Sequence, residues 1–299
     1  MSELLELPRR ERQFVTQGVD STIWNELTLH QGDIVIATYP KSGTTWMQQI
    51  VGRLLYQDRA ADLDLWRMSP WIEMKRPNAE KLGWLSELKP RRFLKSHMPL
   101  DGLIYSRGVK YIYVARDGRD AIWSRYAQYV LGVRAGRAQN GLSFDYEPPP
   151  EEAREYFLSW LENDGAPWLP YFSHVAAWWK FRSLPNIKLV HFTALKEDLE
   201  GQMREIADFL GVPIDEALWA DNVRRCQFEY MKANSANLLA VQERAIPGAS
   251  KYFINKGFNG RWRDILKPED NARYERLVLD AVGPRGAKWL ACGDPSLLA

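Results

Sequence analysis

Thr38-Tyr39-Pro40-Lys41-Ser42-Gly43-Thr44-Thr45-Trp46 is the stretch on which the reading of this chain turns. It follows a short apolar run, Asp33–Ala37, with the character of a strand. It precedes a segment whose apolar residues Trp46, Met47, Ile50, Val51, Leu54 and Leu55 recur at helical spacing. A strand, a loop carrying lysine, glycine and consecutive hydroxyls, and then a helix make an anion cradle. The helix N-terminus presents unpaired N–H groups and a partial positive charge, and Lys41 adds a full one. A phosphorylated ligand is the expected occupant. The loop differs from the G-x-x-x-x-G-K-[ST] phosphate loop, whose lysine comes late and whose last hydroxyl holds magnesium. Here Lys41 comes early, two residues before Gly43.

Three further runs, Arg92–Lys95, Lys110–Val114 and Ile187–Phe192, read as strands between polar or glycine signals. Helical patterns separate them. The chain is therefore expected to be a single α/β domain, with a central parallel sheet flanked by helices. In such sheets ligands sit at the carboxyl ends of the strands, so the loop after Ala37, His97 and Arg116 should meet in one crevice. Leu199–Leu210 carries Met203, Ile206, Ala207 and Leu210 on one face and stops at Gly211 and Pro213. Helices are also expected over Glu151–Trp160 and near Pro268–Ala281. Gln139–Pro150 reads as a surface loop. Residues 229–256 show little periodicity, as a lid beside a site would.

The 299 residues carry 45% hydrophobic side chains and a net charge of +2. That near-neutral total argues against nucleic acid as a partner. The two cysteines, Cys226 and Cys292, have neither metal-ligand spacing nor the look of a disulfide framework. No metal site is expected, and a reducing cytoplasm fits. The N-terminus lacks the apolar core of a secretory signal, and no apolar run approaches the length of a membrane span.

The loop resembles the 5′-phosphosulfate loop of the cytosolic-type sulfotransferases, which use 3′-phosphoadenosine 5′-phosphosulfate (PAPS) and release 3′-phosphoadenosine 5′-phosphate (PAP). Three later segments are similar to motifs of the same family in the same order. Lys95-Ser96-His97-Met98-Pro99-Leu100 resembles K-T-H-x-P-L. The stretch from Tyr113 through Arg116 to Ser124 resembles the 3′-phosphate strand, loop and helix. Lys256-Gly257-Phe258-Asn259-Gly260-Arg261-Trp262-Arg263 resembles the closing R-K-G-x-x-G-x-W-K. The resemblance implies a P-loop kinase-like fold, one domain over residues 1–299, and a PAPS-binding core over about 33–265.

It also implies roles. His97 would be the general base, because its free pKa lies near neutrality. Lys41 would neutralise the leaving phosphate and Lys95 would contact the sulfuryl group. Ser42, Gly43, Thr44 and Thr45 would bind the 5′-phosphate; Thr44 and Thr45 equally suit a helix N-cap. Arg116 and Ser124 match the 3′-phosphate ligands, Ser124 also counted in the catalytic set with His97, Lys41 and Lys95, and an arginine fork suits phosphate. For Arg116 an ion pair with Asp117 or Asp120 is the competing use. Asn255, Lys256 and Gly257 would close on the 3′-phosphate, with Asn255 where the family carries arginine. Trp46 and Phe228 would sandwich the adenine. Cys226 and Met231 fall in a segment similar to T-S-F-x-x-M, with a weak thiol donor in place of a hydroxyl. Phe192-Thr193-Ala194 replaces the family's Y-E-D.

Trp71 and Met74, with Trp66 and Trp84, fall where the family forms its acceptor pocket. A small aromatic or apolar molecule bearing a hydroxyl, or an amine, is the natural acceptor. The family's C-terminal dimer motif is not visible over Arg263–Arg276, so the usual dimer is not expected. A small-molecule kinase and a non-catalytic nucleotide-binding module stand as the alternatives.

Overall fold

A computed structural model describes residues 6–298 apart from 17, 60, 89, 129, 131–149, 151, 166–168, 241–242, 244–249, 251–253 and 255–256. Four strands form one sheet: β1 Ile34–Thr38, β2 Phe93–Ser96, β3 Lys110–Ala115 and β4 Ile187–His191, in the order β2-β1-β3-β4. All three pairings are parallel. β1 and β2 each lie one residue further along than their apolar runs suggest, while β3 and β4 start where expected and end one residue later and one earlier. Asp33 and Arg92 are the reason. They form a buried ion pair just ahead of β1 and β2, and Asp33 also accepts the His30 N–H at 2.9 Å.

Every residue of β1 is buried, because both faces of the sheet are covered. Alternation sorts the side chains. Val35, Ala37, Leu94, Tyr111 and Tyr113 face a layer containing Trp178 and Trp289. Ile34, Ile36, Phe93, Ile112, Val114 and Val190 face Met47, Ile50, Val51 and Leu54 of the helix Thr44–Leu55, and Met203, Ile206 and Leu210 of the helix Leu199–Leu210. The latter helix keeps its expected bounds, with Asp198 as N-cap and Gly211 in the left-handed conformation (φ 61°) as C-cap.

Other helices depart from expectation. The one near Glu151 spans Ala153–Glu162. The C-terminal helix does not stop at Ala281. It breaks at Gly283 (φ 70°, ψ 175°) and resumes through Pro284 to Cys292. Proline suits the first turn of the renewed segment, since its missing N–H would be unpaired there anyway. Gly286 then lets this segment approach Trp179, which a Cβ would meet at 2.8 Å. Within 229–256 the structure has helices Phe228–Ala233 and Ser235–Leu238, and Met231, Leu238, Leu239 and Ile254 pack with Leu63 and Leu65. Most of the remainder, and the expected loop up to residue 149, lies outside the described residues. No described helix is long and apolar enough to cross a membrane.

Register puts Thr38 beside Val114, Ala37 beside Ser96, and Ala115 beside His191. The strand order reverses direction around β1 and β3, so a crevice opens outside their carboxyl ends. Ile36 is fully buried between the sheet and two helices. Ile36→Ala should cost about 2–5 kcal/mol in urea unfolding. A loss below about 1 kcal/mol would contradict this packing.

Candidate active site

The loop after β1 turns sharply. Lys41 has φ 72° and Gly43 φ 107°, and Gly43, not a threonine, is the N-cap of the helix Thr44–Leu55. A Cβ on Gly43 would come within 3.0 Å of the Phe192 ring. Glycine is thus favoured by the backbone conformation, and any side chain there would crowd the ring. Gly43 supplies no side-chain cap, which leaves the first N–H groups of the helix for another acceptor. Ser42 is fully buried, and its hydroxyl has no hydrogen-bond partner among the described residues. A loop with an orphaned hydroxyl, open helix N–H groups and a lysine fits a phosphate.

Thr44 uses its hydroxyl on Thr38, Oγ1 to Oγ1 at 2.6 Å. His97 sits just past β2 and joins this pair. Its Nδ1 lies 2.9 Å from the Thr38 carbonyl and 3.2 Å from the Thr38 hydroxyl. A carbonyl can only accept, so Nδ1 carries the proton and Nε2 keeps its lone pair. Burial, with repulsion from Lys95 second, holds the His97 pKa well below 6.5. The ring is therefore neutral near pH 7, the state a base needs. His174 donates from Nε2 to the His97 carbonyl at 3.0 Å, fixing the backbone.

Segment 70–74 pairs alongside β2: Lys95 donates to the Pro70 carbonyl and Ile72 to the Lys95 carbonyl, each at 3.0 Å. This brings Trp71 edge-on to His97, ring centroids 5.0 Å apart, and under Lys95, whose Nζ lies 4.9 Å from the ring centroid. Trp66, Trp71, Met74 and Trp84 line one cavity. Sequence reasoning missed Glu73, which lies between two of them and is fully buried. Its carboxylate accepts from Trp24 (2.7 Å), Trp71 (2.9 Å), Ser96 (2.5 Å) and the His97 N–H (3.3 Å). It ties His97, the strand end and the cavity wall to one anchor. A lone acid inside the apolar run Pro70–Met74 was the available signal.

Arg116 follows β3 and is 7% exposed. It does not pair with Asp117 or Asp120. Asp117 binds Arg119 through both oxygens, at 3.1 and 2.7 Å, and Asp120 accepts the Gly260 N–H at 2.7 Å. Arg116 donates instead to the Lys41 carbonyl (3.1 Å) and to Asn259 Oδ1 from Nε (3.0 Å) and Nη2 (2.7 Å), with its guanidinium 4.2 Å from the Phe192 ring centroid. Its own carbonyl accepts from Tyr171, and Tyr274 accepts from the Gly118 N–H. Ser124 is half-buried on the helix Gly118–Ala127.

Trp46 donates from Nε1 to the Cys226 carbonyl at 2.7 Å and meets Phe192 edge-on. Phe228 packs near it and leaves no room for a Cβ on Gly257, which would fall 2.5 Å from its ring. The Cys226 thiol is fully buried in the core, and burial pushes its pKa up. Cys226 thus contributes through its carbonyl. Met231 is buried in the cluster around Leu63. Thr45 is half-buried on the first turn of its helix. Asn255 and Lys256 lie outside the described residues.

Comparison with known proteins gives one family. A profile of the sulfotransferase domain matches residues 31–283. A glycolipid sulfotransferase of Mycobacterium bovis is 27% identical over 90% of this chain and 91% of its own length. The structure of mouse sulfotransferase SULT7A1 complexed with PAP superposes with a TM-score of 0.71 at 21% identity, covering 90% of this chain and 91% of that one. Retinol dehydratase in complex with retinol and PAP has a TM-score of 0.69 at 25% identity, with 88% and 84% covered.

Burial lowers the Lys41 pKa from 10.5 to about 7, helped by repulsion from Arg116, Arg125 and Lys95; burial lowers Lys95 to about 8, against the attraction of Glu73. Unfolding restores ordinary lysines, which bind protons more tightly. Ligand-free stability should therefore rise with pH between about 7 and 10.5. A ¹⁵N titration of the Lys41 Nζ in the ligand-free protein should show a midpoint near 7, and Lys41→Met should remove that resonance. A midpoint above about 10, the ordinary lysine value, would contradict the desolvated site.

Proposed function

Because the chain belongs to the sulfotransferase domain family, we propose that it transfers the sulfuryl group of PAPS to a hydroxyl, or an amine, of a small aromatic or apolar acceptor, with His97 as general base. The observation that carries the base assignment is the bond from His97 Nδ1 to the Thr38 carbonyl, which leaves the Nε2 lone pair available. PAPS supplies the sulfuryl group and departs as PAP.

His97 Nε2 takes the proton of the acceptor hydroxyl as that oxygen bonds to sulfur. The bond from sulfur to the 5′-phosphate oxygen breaks, and its electron pair leaves with the phosphate. Lys41 meets the negative charge that grows there, and Lys95 orients the sulfuryl oxygens. An anion draws a proton onto Lys41, raising its depressed pKa and setting the charge only when it is needed. Ser42, Gly43, Thr44 and Thr45 hold the 5′-phosphate. Arg116, Ser124, Lys256 and Gly257, with Asn255 beside them, hold the 3′-phosphate. Trp46 and Phe228 enclose the adenine, with Cys226 and Met231 behind them. Trp71 and Met74 face the acceptor. Two free cysteines, one of them exposed, suit a reducing compartment such as the cytoplasm.

The chemistry is tested with His97→Ala. PAP affinity by calorimetry should stay within about threefold. PAP release from PAPS, followed by chromatography with a panel of phenols, hydroxysteroids, glycolipids and amines, should fall by about 10²–10⁴-fold. Turnover near the original rate would remove His97 from the mechanism.

A further inference from the structure

We propose that Asn259 is a positioning residue for the nucleotide's 3′-phosphate, holding the Arg116 guanidinium in place without neutralising it; this rests on the reading of Arg116 as the 3′-phosphate ligand. A guanidinium has about five N–H donors and no acceptor, so whatever holds it must accept. Asn259 Oδ1 receives both Nε and Nη2. That contact forces the amide the other way round, and Nδ2 donates to the Thr193 hydroxyl at 3.1 Å. Asn259 is thereby held from the far side by the segment that follows β4. The third donor contact, from Nη1 to the Lys41 carbonyl, ties the same guanidinium to the 5′-phosphate loop.

A neutral acceptor is the informative choice. A carboxylate at 259 would hold Arg116 more strongly but would cancel the charge a phosphate needs. The two nearby carboxylates are kept off it, Asp117 by Arg119 and Asp120 by the Gly260 N–H. Arg116 is thus fixed by an amide, two carbonyl oxygens (that of Phe258 at a long 3.5 Å) and an aromatic face, none of them charged. Nothing in the general form of the closing motif selects asparagine at this place, so the sequence alone did not mark it.

The test is calorimetric titration of the full chain with PAP and with AMP, which lacks the 3′-phosphate, at one ionic strength. In the unaltered protein PAP should bind more tightly than AMP. Asn259→Ala should weaken PAP about tenfold and AMP less than about twofold, so their ratio collapses. Asn259→Asp should lower the ratio further, by pairing with Arg116. Thr193→Val leaves Asn259 in place but loosens it, and should lower the ratio about threefold; it decides the matter if Asn259→Ala fails to fold. An unchanged ratio in both variants, or an equal loss for PAP and AMP, would overturn the proposal. If the unaltered protein binds AMP as well as PAP, the Arg116 assignment falls first and takes this one with it.

Discussion

Everything in the crevice follows from taking cations out of water at the carboxyl ends of β1, β2 and β3. Lys41, Lys95 and Arg116 are like charges, and burial opposes each of them. A lysine pKa driven from 10.5 to about 7 marks a protonated form several kcal/mol less favourable than in water. Neighbouring carboxylates offset part of this through space, Glu73 for Lys95 and Asp117 with Asp120 for Arg116, while their hydrogen bonds go elsewhere. Glu73 holds two indoles, a serine and the His97 backbone, while Asp117 and Asp120 hold Arg119 and Gly260. Arg116, held by neutral acceptors, keeps a charge that an external anion could meet.

The sheet and its crevice were legible from the sequence because their signals are local. Apolar runs at strand length, separated by helical periodicity, specify a parallel sheet, and Gly211 with Pro213 ends one helix where expected. The misplaced boundaries have local causes that a hydrophobic pattern does not register. Asp33 and Arg92 look like strand residues in a pattern but are buried as a pair one step ahead of the ladder. The helix expected near Pro268–Ala281 breaks at Gly283, yet the chain resumes its helix beyond it, where Trp289 stacks on Trp179.

The candidate site was legible to a different depth. Lys41, Ser42, His97 and Arg116 stand on strand ends, so the sequence motif and the fold topology converge on them. Glu73 and Asn259 were not legible. Glu73 acts through contacts to Trp24, Trp71, Ser96 and His97, which are brought together only by tertiary structure. Asn259 bonds to Arg116 and Thr193, 143 and 66 residues away in the chain. Cys226 illustrates the reverse case: its place in the motif is legible, but its thiol points into the core and its carbonyl does the bonding.

The most direct test of the central claim, a cation-lined crevice shaped for a nucleotide carrying both 3′- and 5′-phosphate groups, is calorimetric competition between PAP and ATP in the presence of EDTA. PAP should bind and resist displacement by equimolar ATP. Binding of ATP as tight as that of PAP, or binding that appears only when magnesium is restored, would contradict the claim and point to phosphoryl rather than sulfuryl transfer.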